Sequence, residues 1–346
     1  MTKKGDIPHF PATGAGKKGD IPLFATAGAG QGVLQKRGVS PFFWPRLRSY
    51  LELVRFSHTI FALPFAVMAA LIAIRLGGDG HWSLEQPWSL AKPVLGILAC
   101  MVAARTAAMA FNRLVDRAID AENPRTASRH LPRGELGTGE VLGLVAASSV
   151  AFVAATLLFL PNWLPVALAL PVLAWLLGYS FAKRFTSLAH LWLGAALGLA
   201  PVAAWIALRG ETLLRDPIDI LPAAILGLAV TTWVAGFDII YACQDAAFDA
   251  AHGLHSMPAR LGVPRALRFS KWLHGATMLL LAGLPLVVPQ LGWIYWTALA
   301  AIAALLVWEH ALVRPDDLSR VNQAFFTANA AIGMLLLAAI AADLWL

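Results

Sequence analysis

Residues 93–120 read PVLGILACMVAARTAAMAFNRLVDRAID, an apolar run that ends in a regularly spaced polar cluster. Residues 93–111 approach the ~20 apolar residues that an α-helix needs to cross a lipid bilayer. Asn112, Asp116 and Asp120 follow at intervals of four residues, so a continuous helix would place them within ~80° of one another. The stretch therefore predicts a membrane-spanning helix with a stripe of oxygen-bearing side chains at one end.

A second acidic cluster follows another apolar run, at residues 218–237. Its polar side chains share one helical face in the same way, and they are Asp238, Tyr241, Asp245 and Asp249. Only 20 of the 346 residues are Asp or Glu, and neighbouring carboxylates on one helix face repel each other by a few tenths of a kcal/mol. Two such clusters beside a membrane indicate a binding site for a hard cation.

The composition is that of an integral membrane protein. Charged residues make up 14% of the chain, against about 25% in soluble domains, and the mean hydropathy is +0.66. Apolar stretches recur along the chain, which predicts an all-α, polytopic membrane protein of about nine transmembrane helices. The predicted spans are 58–76, 93–111, 139–158, 163–182, 186–207, 218–237, 272–289, 292–311 and 322–343. Trp192, Trp205 and Trp233 are expected at the membrane interfaces or facing lipid.

Lys and Arg residues are distributed unequally between the two sides of the predicted spans. The N-terminal segment and the even-numbered loops together hold 22 of them, whereas the opposite side holds 4. Because cytoplasmic loops are enriched in Lys and Arg, this predicts a cytoplasmic N-terminus in a bacterial plasma (inner) membrane, with both acidic clusters on the same side. Membrane topology and phosphate binding account for the net charge of +7. The sequence contains no soluble basic domain, so we do not expect nucleic-acid binding.

Residues 1–45 differ in composition from the remainder of the chain. The segment Lys3–Phe10 returns with one change as Lys17–Phe24. Gly, Pro, Ala and Lys dominate and no apolar periodicity is present, which predicts a disordered cytoplasmic tail. The tail contains no apolar stretch of about 7–15 residues, so we do not expect a cleavable signal peptide. Residues 46–346 are the predicted membrane domain.

Facing acidic clusters would form a cup of carboxylates. Two unit charges ~4 Å apart repel by about 4 kcal/mol at an effective dielectric constant of ~20. Mg²⁺ removes such repulsion, and proteins usually bind it through one or two carboxylates together with the phosphates of a substrate. The sequence therefore predicts Mg²⁺ as the cofactor and a metal–phosphate complex as the ligand.

Basic residues that could bind phosphate lie on the neighbouring cytoplasmic segments, and they are Arg125, Arg129, Lys183 and Arg184. Arg offers phosphate a planar fork and Lys a point charge, although the same residues also suit positive-inside anchoring. Arg105 lies about two turns before Asn112, inside the second predicted span. A charge there costs roughly 2.5–3.5 kcal/mol on insertion scales, so Arg105 either snorkels to the interface or binds an anion.

At these residues the chain resembles the UbiA superfamily of intramembrane aromatic prenyltransferases, which includes the 4-hydroxybenzoate polyprenyltransferases. The matching motifs are Asn112-x-x-x-Asp116-x-x-x-Asp120 with the Asn-Pro-Arg-Thr-x-x-Arg that follows it, Tyr179-x-x-x-Lys183-Arg184, and Asp238-x-x-Tyr-Ala-x-x-Asp245-x-x-x-Asp249. The resemblance extends over residues 46–345. It implies nine transmembrane helices around a lipid-accessible central cavity, with a cap of cytoplasmic loops.

The resemblance also implies a role for each candidate site residue. Asn112, Asp116 and Asp120 would form the first Mg²⁺–diphosphate site, and Asp245 and Asp249 the second. The four aspartates of these sites would be catalytic together with Tyr179, which would line the place where an allylic cation forms. Arg125, Arg129, Lys183 and Arg184 would bind the diphosphate. Arg105 would face the aromatic acceptor, and Asp238 and Tyr241 would support the second motif.

The implied reaction transfers a polyprenyl group from polyprenyl diphosphate to the ring of an aromatic acid, 4-hydroxybenzoate or a relative, in quinone biosynthesis. A naphthoate acceptor of menaquinone biosynthesis is an alternative, because Arg55–Phe65 departs from the segment typical of the ubiquinone branch. A secondary transporter of organic ions is an alternative of another class, since intramembrane charges also mark transport paths. Gathering of the charges at one membrane surface argues against transport.

Overall fold

The computed structural model describes residues 49–50, 52–53, 63–77, 87–323 and 327–346, which fall within one unit, Trp44–Leu346. The tail predicted at 1–45 and the beginning of the first predicted span lie outside the described residues. The described part is all-α, with one isolated bridge between Arg314 and Asp317. The predicted fold class is therefore confirmed.

The helices, numbered in chain order, are α1 (Leu63–Arg75), α2 (Pro87–Val115), α3 (Arg117–Glu122), α4 (Thr138–Thr156), α5 (Leu164–Gly178), α6 (Ala189–Arg215), α7 (Leu221–Ala242), α8 (Ala246–Ala251), α9 (Met257–Leu261), α10 (Val263–Gly283), α11 (Trp293–Leu312), α12 (Val321–Gln323) and α13 (Asn329–Trp345). Short 3₁₀ turns follow several of them: Leu157–Phe159, Tyr179–Arg184, Pro217–Ile220, Cys243–Asp245 and Leu284–Leu286. The longer helices are the elements that the hydropathy pattern predicts.

Six helical segments in the described part of the chain are long and apolar enough to cross a membrane. They run over Trp88–Val115, Thr138–Phe159, Leu164–Arg184, Ala189–Arg215, Pro217–Ala251 and Trp293–Leu312. Two shorter apolar helices, α1 and α13, accompany them. The predicted number of nine transmembrane helices stays a prediction, because α10 begins with polar residues and the start of the first span is not described.

Both acidic clusters are interrupted helices rather than the continuous helices assumed from the spacing. Asp116 has φ −88° and ψ 4° and separates α2 from α3. The 3₁₀ turn Cys243–Asp245 separates α7 from α8 in the same way. Asp238 and Tyr241 therefore belong to the last turns of α7, whereas Asp249 lies on α8. Each cluster thus bends at its middle carboxylate.

Helices α6 and α7 approach closely because small residues line their contact. A Cβ added to Gly194 would lie 2.2 Å from the carbonyl oxygen of Thr231. A Cβ added to Gly198 would lie 2.4 Å from the carbonyl oxygen of Gly227. Glycines spaced by four residues allow such backbone contact between helices in a membrane. This contact fixes the start of α6 against the end of α7, where the acidic cluster begins.

Two tryptophans expected to face lipid are instead buried in the largest apolar core. Trp205 is 0% exposed and Trp233 is 2% exposed, and they pack among residues of α1, α6, α7, α10, α11 and α13. The indole N–H of Trp205 donates to Asp219 Oδ2 at 2.9 Å, which satisfies its polar atom inside the core. The interfacial prediction was wrong for these two residues because hydropathy does not separate lipid-facing from core-facing positions.

We call the buried ion pair between Arg209 and Asp219 the outer clamp. The guanidinium Nη2 donates to Asp219 Oδ1 at 2.6 Å and Nε donates to Oδ2 at 2.9 Å. Nη1 donates to the carbonyl oxygens of Gly77 and Ala73. The outer clamp therefore joins the end of α1, the end of α6 and the turn before α7. Breaking one partner of such a buried pair is strongly destabilising.

Candidate active site

A polar cavity of about 190 Å³ lies where α2 and α7 end. Its walls include all residues of the two acidic clusters and the basic segments named above: Asn112, Asp116, Asp120, Arg125, Arg129, Tyr179, Lys183, Arg184, Asp238, Tyr241, Asp245 and Asp249. Three parts of the sequence supply them, namely the α2–α3 break with the loop after it, the turn after α5, and the α7–α8 break. In the structure the two acidic clusters thus line the same cavity.

Two arginines pair with the carboxylates of the first cluster. Arg129 Nη1 lies 2.6 Å from each carboxylate oxygen of Asp120. Arg184 Nη2 donates to Asp116 Oδ1 at 3.2 Å and to the carbonyl oxygen of Val115 at 2.8 Å. Asn112 Nδ2 donates to the other oxygen of Asp116 at 2.9 Å. The cluster is therefore held by charge-assisted hydrogen bonds from two different segments.

Arg125 crosses from the first loop to the second acidic cluster. Its Nε donates to Asp245 Oδ1 at 2.8 Å, and its Nη2 donates to Oδ2, which makes a bidentate pair. Its Nη1 donates to the hydroxyl of Tyr241 at 3.1 Å, and Asn123 Nδ2 donates to Asp245 Oδ1 at 3.2 Å. The loop after α3 is thereby fastened to the end of α7, and the two clusters share one electrostatic environment.

Burial and neighbouring charges shift the pKa values of several groups in this cavity. Burial raises the pKa of Asp116, and attraction by Lys183 and Arg184 offsets this only in part. Burial alone would lower the pKa of Arg125, but the hydrogen bond to Asp245 and the attraction of its charge outweigh burial and raise that pKa. Burial alone would raise the pKa of Asp245, but the hydrogen bond from Arg125 and its charge outweigh burial and lower that pKa.

The donor set of the cavity fits a hard cation, although the side chains are not gathered around a single point. Among the described residues, no group of three or more His, Cys, Asp or Glu side chains has the arrangement of a metal site. The arginine pairs explain this, because they draw Asp116, Asp120 and Asp245 toward separate partners. Asp249 differs from these three. It is 3% exposed, and its Oδ2 has no hydrogen-bond partner within the described part of the chain. A buried carboxylate oxygen without a partner is a ligand suited to Mg²⁺.

An apolar cavity of about 440 Å³ lies beside the polar one, between α2, α4, α5 and α6. Its lining includes Met101, Phe152 and Leu176, and Arg105 is the one charged residue among the lining residues that the structure describes. Tyr179 and Leu193 line both cavities, which places the two side by side. Arg105 therefore lines a different cavity from Arg125, Arg129, Lys183 and Arg184. It provides a positive charge in a cavity large enough for an apolar molecule.

Two further residues, Arg113 and His190, line the polar cavity or contact its lining and were not predicted from the sequence. Arg113 is 8% exposed and lines the polar cavity. His190 is 0% exposed, and its Nδ1 lies 2.6 Å from Asp238 Oδ2. The backbone N–H of Met257 donates to its Nε2 at 3.3 Å. Both partners of His190 are far away in the sequence, so no local spacing could have indicated this contact.

The sequence of the chain is similar to those of known proteins. Residues 62–331 match the model of the UbiA prenyltransferase family. A mitochondrial 4-hydroxybenzoate polyprenyltransferase of Caenorhabditis elegans is 30% identical over 317 residues, covering 86% of this chain and 79% of that protein. A 4-hydroxybenzoate octaprenyltransferase of Aeromonas hydrophila is 31% identical over 298 residues, covering 84% of this chain and 95% of that protein.

Solved structures share the fold. The apo structure of a UbiA homolog from Aeropyrum pernix K1 has a TM-score of 0.71 and 35% identity, and the match covers 83% of this chain and 98% of that one. A UbiA homolog from Archaeoglobus fulgidus, bound to GPP and Mg²⁺, has a TM-score of 0.58 and 22% identity, with 86% and 100% covered. The second likeness concerns the fold alone.

Proposed function

The chain belongs to the UbiA prenyltransferase family, and we propose that it transfers a polyprenyl group from polyprenyl diphosphate to the ring of an aromatic acid in quinone biosynthesis. The observation that carries this proposal is the adjacency of the two cavities at Tyr179. One cavity has the charges that a diphosphate and its cation need. The other has the apolar walls that a prenyl chain and an aromatic ring need.

The polar cavity is proposed to bind the diphosphate end of the donor. Arg125, Arg129, Lys183 and Arg184 bind phosphate oxygens, exchanging their carboxylate partners for the substrate. Asn112, Asp116, Asp120, Asp245 and Asp249 would hold Mg²⁺, which when bound neutralises charge on the leaving diphosphate. The arginines stabilise that charge as the C–O bond breaks, since they are already positioned around the cavity. Tyr179 lies beside the allylic cation.

The apolar cavity is proposed to bind the acceptor and the beginning of the prenyl chain. Arg105 binds the carboxylate of the aromatic acid, which supplies a counter-charge to the guanidinium within the span. The ring then lies near Tyr179, where its π electrons attack the cation. The remainder of the prenyl chain extends between helices or into lipid. Asp238 and Tyr241 support the second acidic cluster.

The proposed acceptor is 4-hydroxybenzoate or a closely related hydroxy-aromatic acid. Relatives named for 4-hydroxybenzoate cover most of this chain at about the same identity, which favours that acceptor. A naphthoate is kept as the second candidate, because it offers Arg105 the same carboxylate. Most of Arg55–Phe65, the segment that favours the naphthoate branch, lies outside the described residues.

We expect polyprenyl transfer to be measurable with purified protein, Mg²⁺, a series of polyprenyl diphosphates and a panel of hydroxybenzoic and hydroxynaphthoic acids. Product masses identify both the acceptor and the chain length. A reaction with excess EDTA, and one in which Mg²⁺ is then restored, control for the metal. Full activity in EDTA would contradict the Mg²⁺ assignment. Absence of product with every acid would contradict the proposed function.

We expect Arg105→Leu to raise the KM for the aromatic acid about 10–100-fold, with a smaller change in kcat and in the KM for the prenyl diphosphate. The reason is the loss of one charge-assisted hydrogen bond, worth about 1.5–3 kcal/mol, in both the ground and transition states. Met101→Leu, in the same cavity, is the matched control. If Arg105→Leu weakens prenyl-diphosphate binding instead, Arg105 belongs to the phosphate site.

We propose that residues 1–45 form a tail and that residues 46–346 form the domain in a bacterial inner membrane. In the proposed orientation the tail and the polar cavity are on the cytoplasmic side. The support for this orientation is the distribution of 22 Lys and Arg on one side against 4 on the other. We expect single cysteines introduced at exposed positions Ser128 and Arg133 to react with impermeant thiol reagents from the cytoplasmic face of vesicles. Labelling only from the outer face would reverse the topology.

A further inference from the structure

We propose that His190 is a positioning residue that holds the carboxylate of Asp238 to accept the proton that the aromatic ring loses during prenyl transfer. The inference rests on the proposed function and adds a proton acceptor to it. Ring substitution requires such an acceptor, because the attacked carbon carries both its hydrogen and the new prenyl group until the proton leaves.

The hydrogen bonds of His190 fix its tautomer. The backbone N–H of Met257 donates to Nε2 at 3.3 Å, so Nε2 carries the lone pair. Nδ1 therefore carries the proton and donates it to Asp238 Oδ2 at 2.6 Å. With a donor on one side and an acceptor on the other, the neutral imidazole satisfies both contacts. Asp238 Oδ2 accepts this hydrogen bond, and the contact therefore fixes the orientation of its carboxylate.

Asp238 differs in this respect from three other carboxylates of the polar cavity. Asp116, Asp120 and Asp245 each pair with one of the arginines that are proposed to bind the diphosphate. Asp238 pairs with a ring that is completely buried at the beginning of α6, and its own side chain stays 21% exposed. A carboxylate with a neutral partner and an accessible oxygen is a better proton acceptor than one neutralised by a guanidinium.

The location of Asp238 suits the ring rather than the diphosphate. It lines the polar cavity together with Tyr179 and Leu193, and these two residues also line the apolar cavity. Tyr179 lines the apolar cavity together with Arg105, and it lines the polar cavity together with Asp116 and Asp238. A ring whose carboxylate binds Arg105, and whose carbon faces a cation beside Tyr179, therefore presents its departing hydrogen near Asp238.

The proposed step breaks one bond in each substrate and forms one new bond between them. The C–O bond of the prenyl diphosphate breaks and its electron pair leaves with the diphosphate. A π pair of the ring forms the new C–C bond to the allylic carbon. The ring C–H bond then breaks, its electron pair restores aromaticity, and the proton passes to Asp238. The cavity is partly open to solvent, so Asp238 returns the proton to water, while the hydrogen bond from His190 keeps its orientation.

The test compares His190→Leu with His190→Asn and Asp238→Asn in the full-length protein with saturating Mg²⁺. An Asn amide nitrogen can occupy the place of Nδ1 and donate to Asp238, whereas Leu cannot. We expect His190→Leu to lower kcat about 10²-fold with little change in either KM, and His190→Asn to recover most of the loss. Asp238→Asn keeps an acceptor for Nδ1–H and removes the base, and we expect a similar loss of kcat.

A ring-deuterated acceptor supplies the second readout. Slow proton removal makes a primary isotope effect on kcat appear in His190→Leu and Asp238→Asn. Two outcomes would mean that His190 only anchors the beginning of α9 at Met257. One is a loss of activity without an isotope effect. The other is an equal loss of melting temperature and of activity in the Leu and Asn variants of His190. Unchanged kcat in Asp238→Asn would also overturn the inference. If the wild-type protein forms no prenylated product, the result contradicts the proposed function and does not test the role of His190.

Discussion

Asp116→Ala and Asp245→Ala are each expected to lower kcat/KM about 10³-fold or more while the protein stays folded in the membrane. Each change removes an oxygen ligand from the proposed cation site. Each also leaves an arginine, Arg184 or Arg125, without its carboxylate partner, so the charge pattern around the diphosphate changes. The measurement is steady-state prenyl transfer at saturating Mg²⁺, together with circular dichroism and thermal unfolding in detergent.

Asp316→Ala is the matched control for both variants, because Asp316 is an exposed carboxylate outside the cavity. It should retain wild-type activity. Asp116→Asn and Asp245→Asn separate charge from volume, since the amide keeps the shape and loses the negative charge. Near wild-type turnover in either alanine variant would exclude that residue from the proposed cation site. Loss of activity together with loss of helical signal would point to folding instead.

Gly198→Leu is expected to prevent stable folding of the membrane domain, or to destabilise it by about 3 kcal/mol or more. A Cβ at this position would lie 2.4 Å from the carbonyl oxygen of Gly227 and 2.4 Å from Thr231 Oγ1. The backbone of α7 would have to move away from α6, which loses packing along the whole contact. The measurement is the yield of monodisperse protein after extraction and its melting temperature.

Gly143→Leu is the control for this prediction. Gly143 is also a helical glycine, on the exposed face of α4, and a Cβ added there meets nothing within 4 Å. The control should fold as the wild type does, because leucine also has the better helix propensity. Equal yields and melting temperatures for Gly198→Leu and wild type would show that α6 and α7 do not pack as closely as described.

Helix positions were predictable from the sequence wherever a span is bounded by polar turns. The predicted span 163–182 is close to α5 with the turn after it, and the predicted span 292–311 is close to Trp293–Leu312. Such spans can be predicted because crossing the bilayer requires a nearly fixed number of apolar residues. The beginning of α10 was not predictable in this way. The helix starts at Val263, whereas the prediction started at 272, because Arg265, Arg268 and Lys271 give its first turns a polar composition.

Most residues that line the candidate site could be predicted from the sequence, whereas the ion pairs between them could not. Carboxylates are costly beside a membrane, so the few that the chain contains stand out, and all those in the two clusters line one cavity. The pairing of Arg125 with Asp245 joins residues from different segments, and helical spacing carries no information about such contacts. His190 was missed for the same reason. Its importance becomes visible only when α6 lies against α7.

The outer clamp has a mechanical consequence for how long substrates enter and leave. Arg209 fastens α1, α6 and the turn before α7 at the end opposite the polar cavity, and the large core adds α10, α11 and α13 to the same block. Helices α2, α4 and α5 share a smaller cluster of Ala103, Phe152 and Ala169. The apolar cavity lies at the seam between the two blocks. A small tilt of α2, α4 and α5 can therefore widen the apolar cavity toward lipid. The larger group of helices meanwhile keeps Asp238, His190 and Asp245 in place.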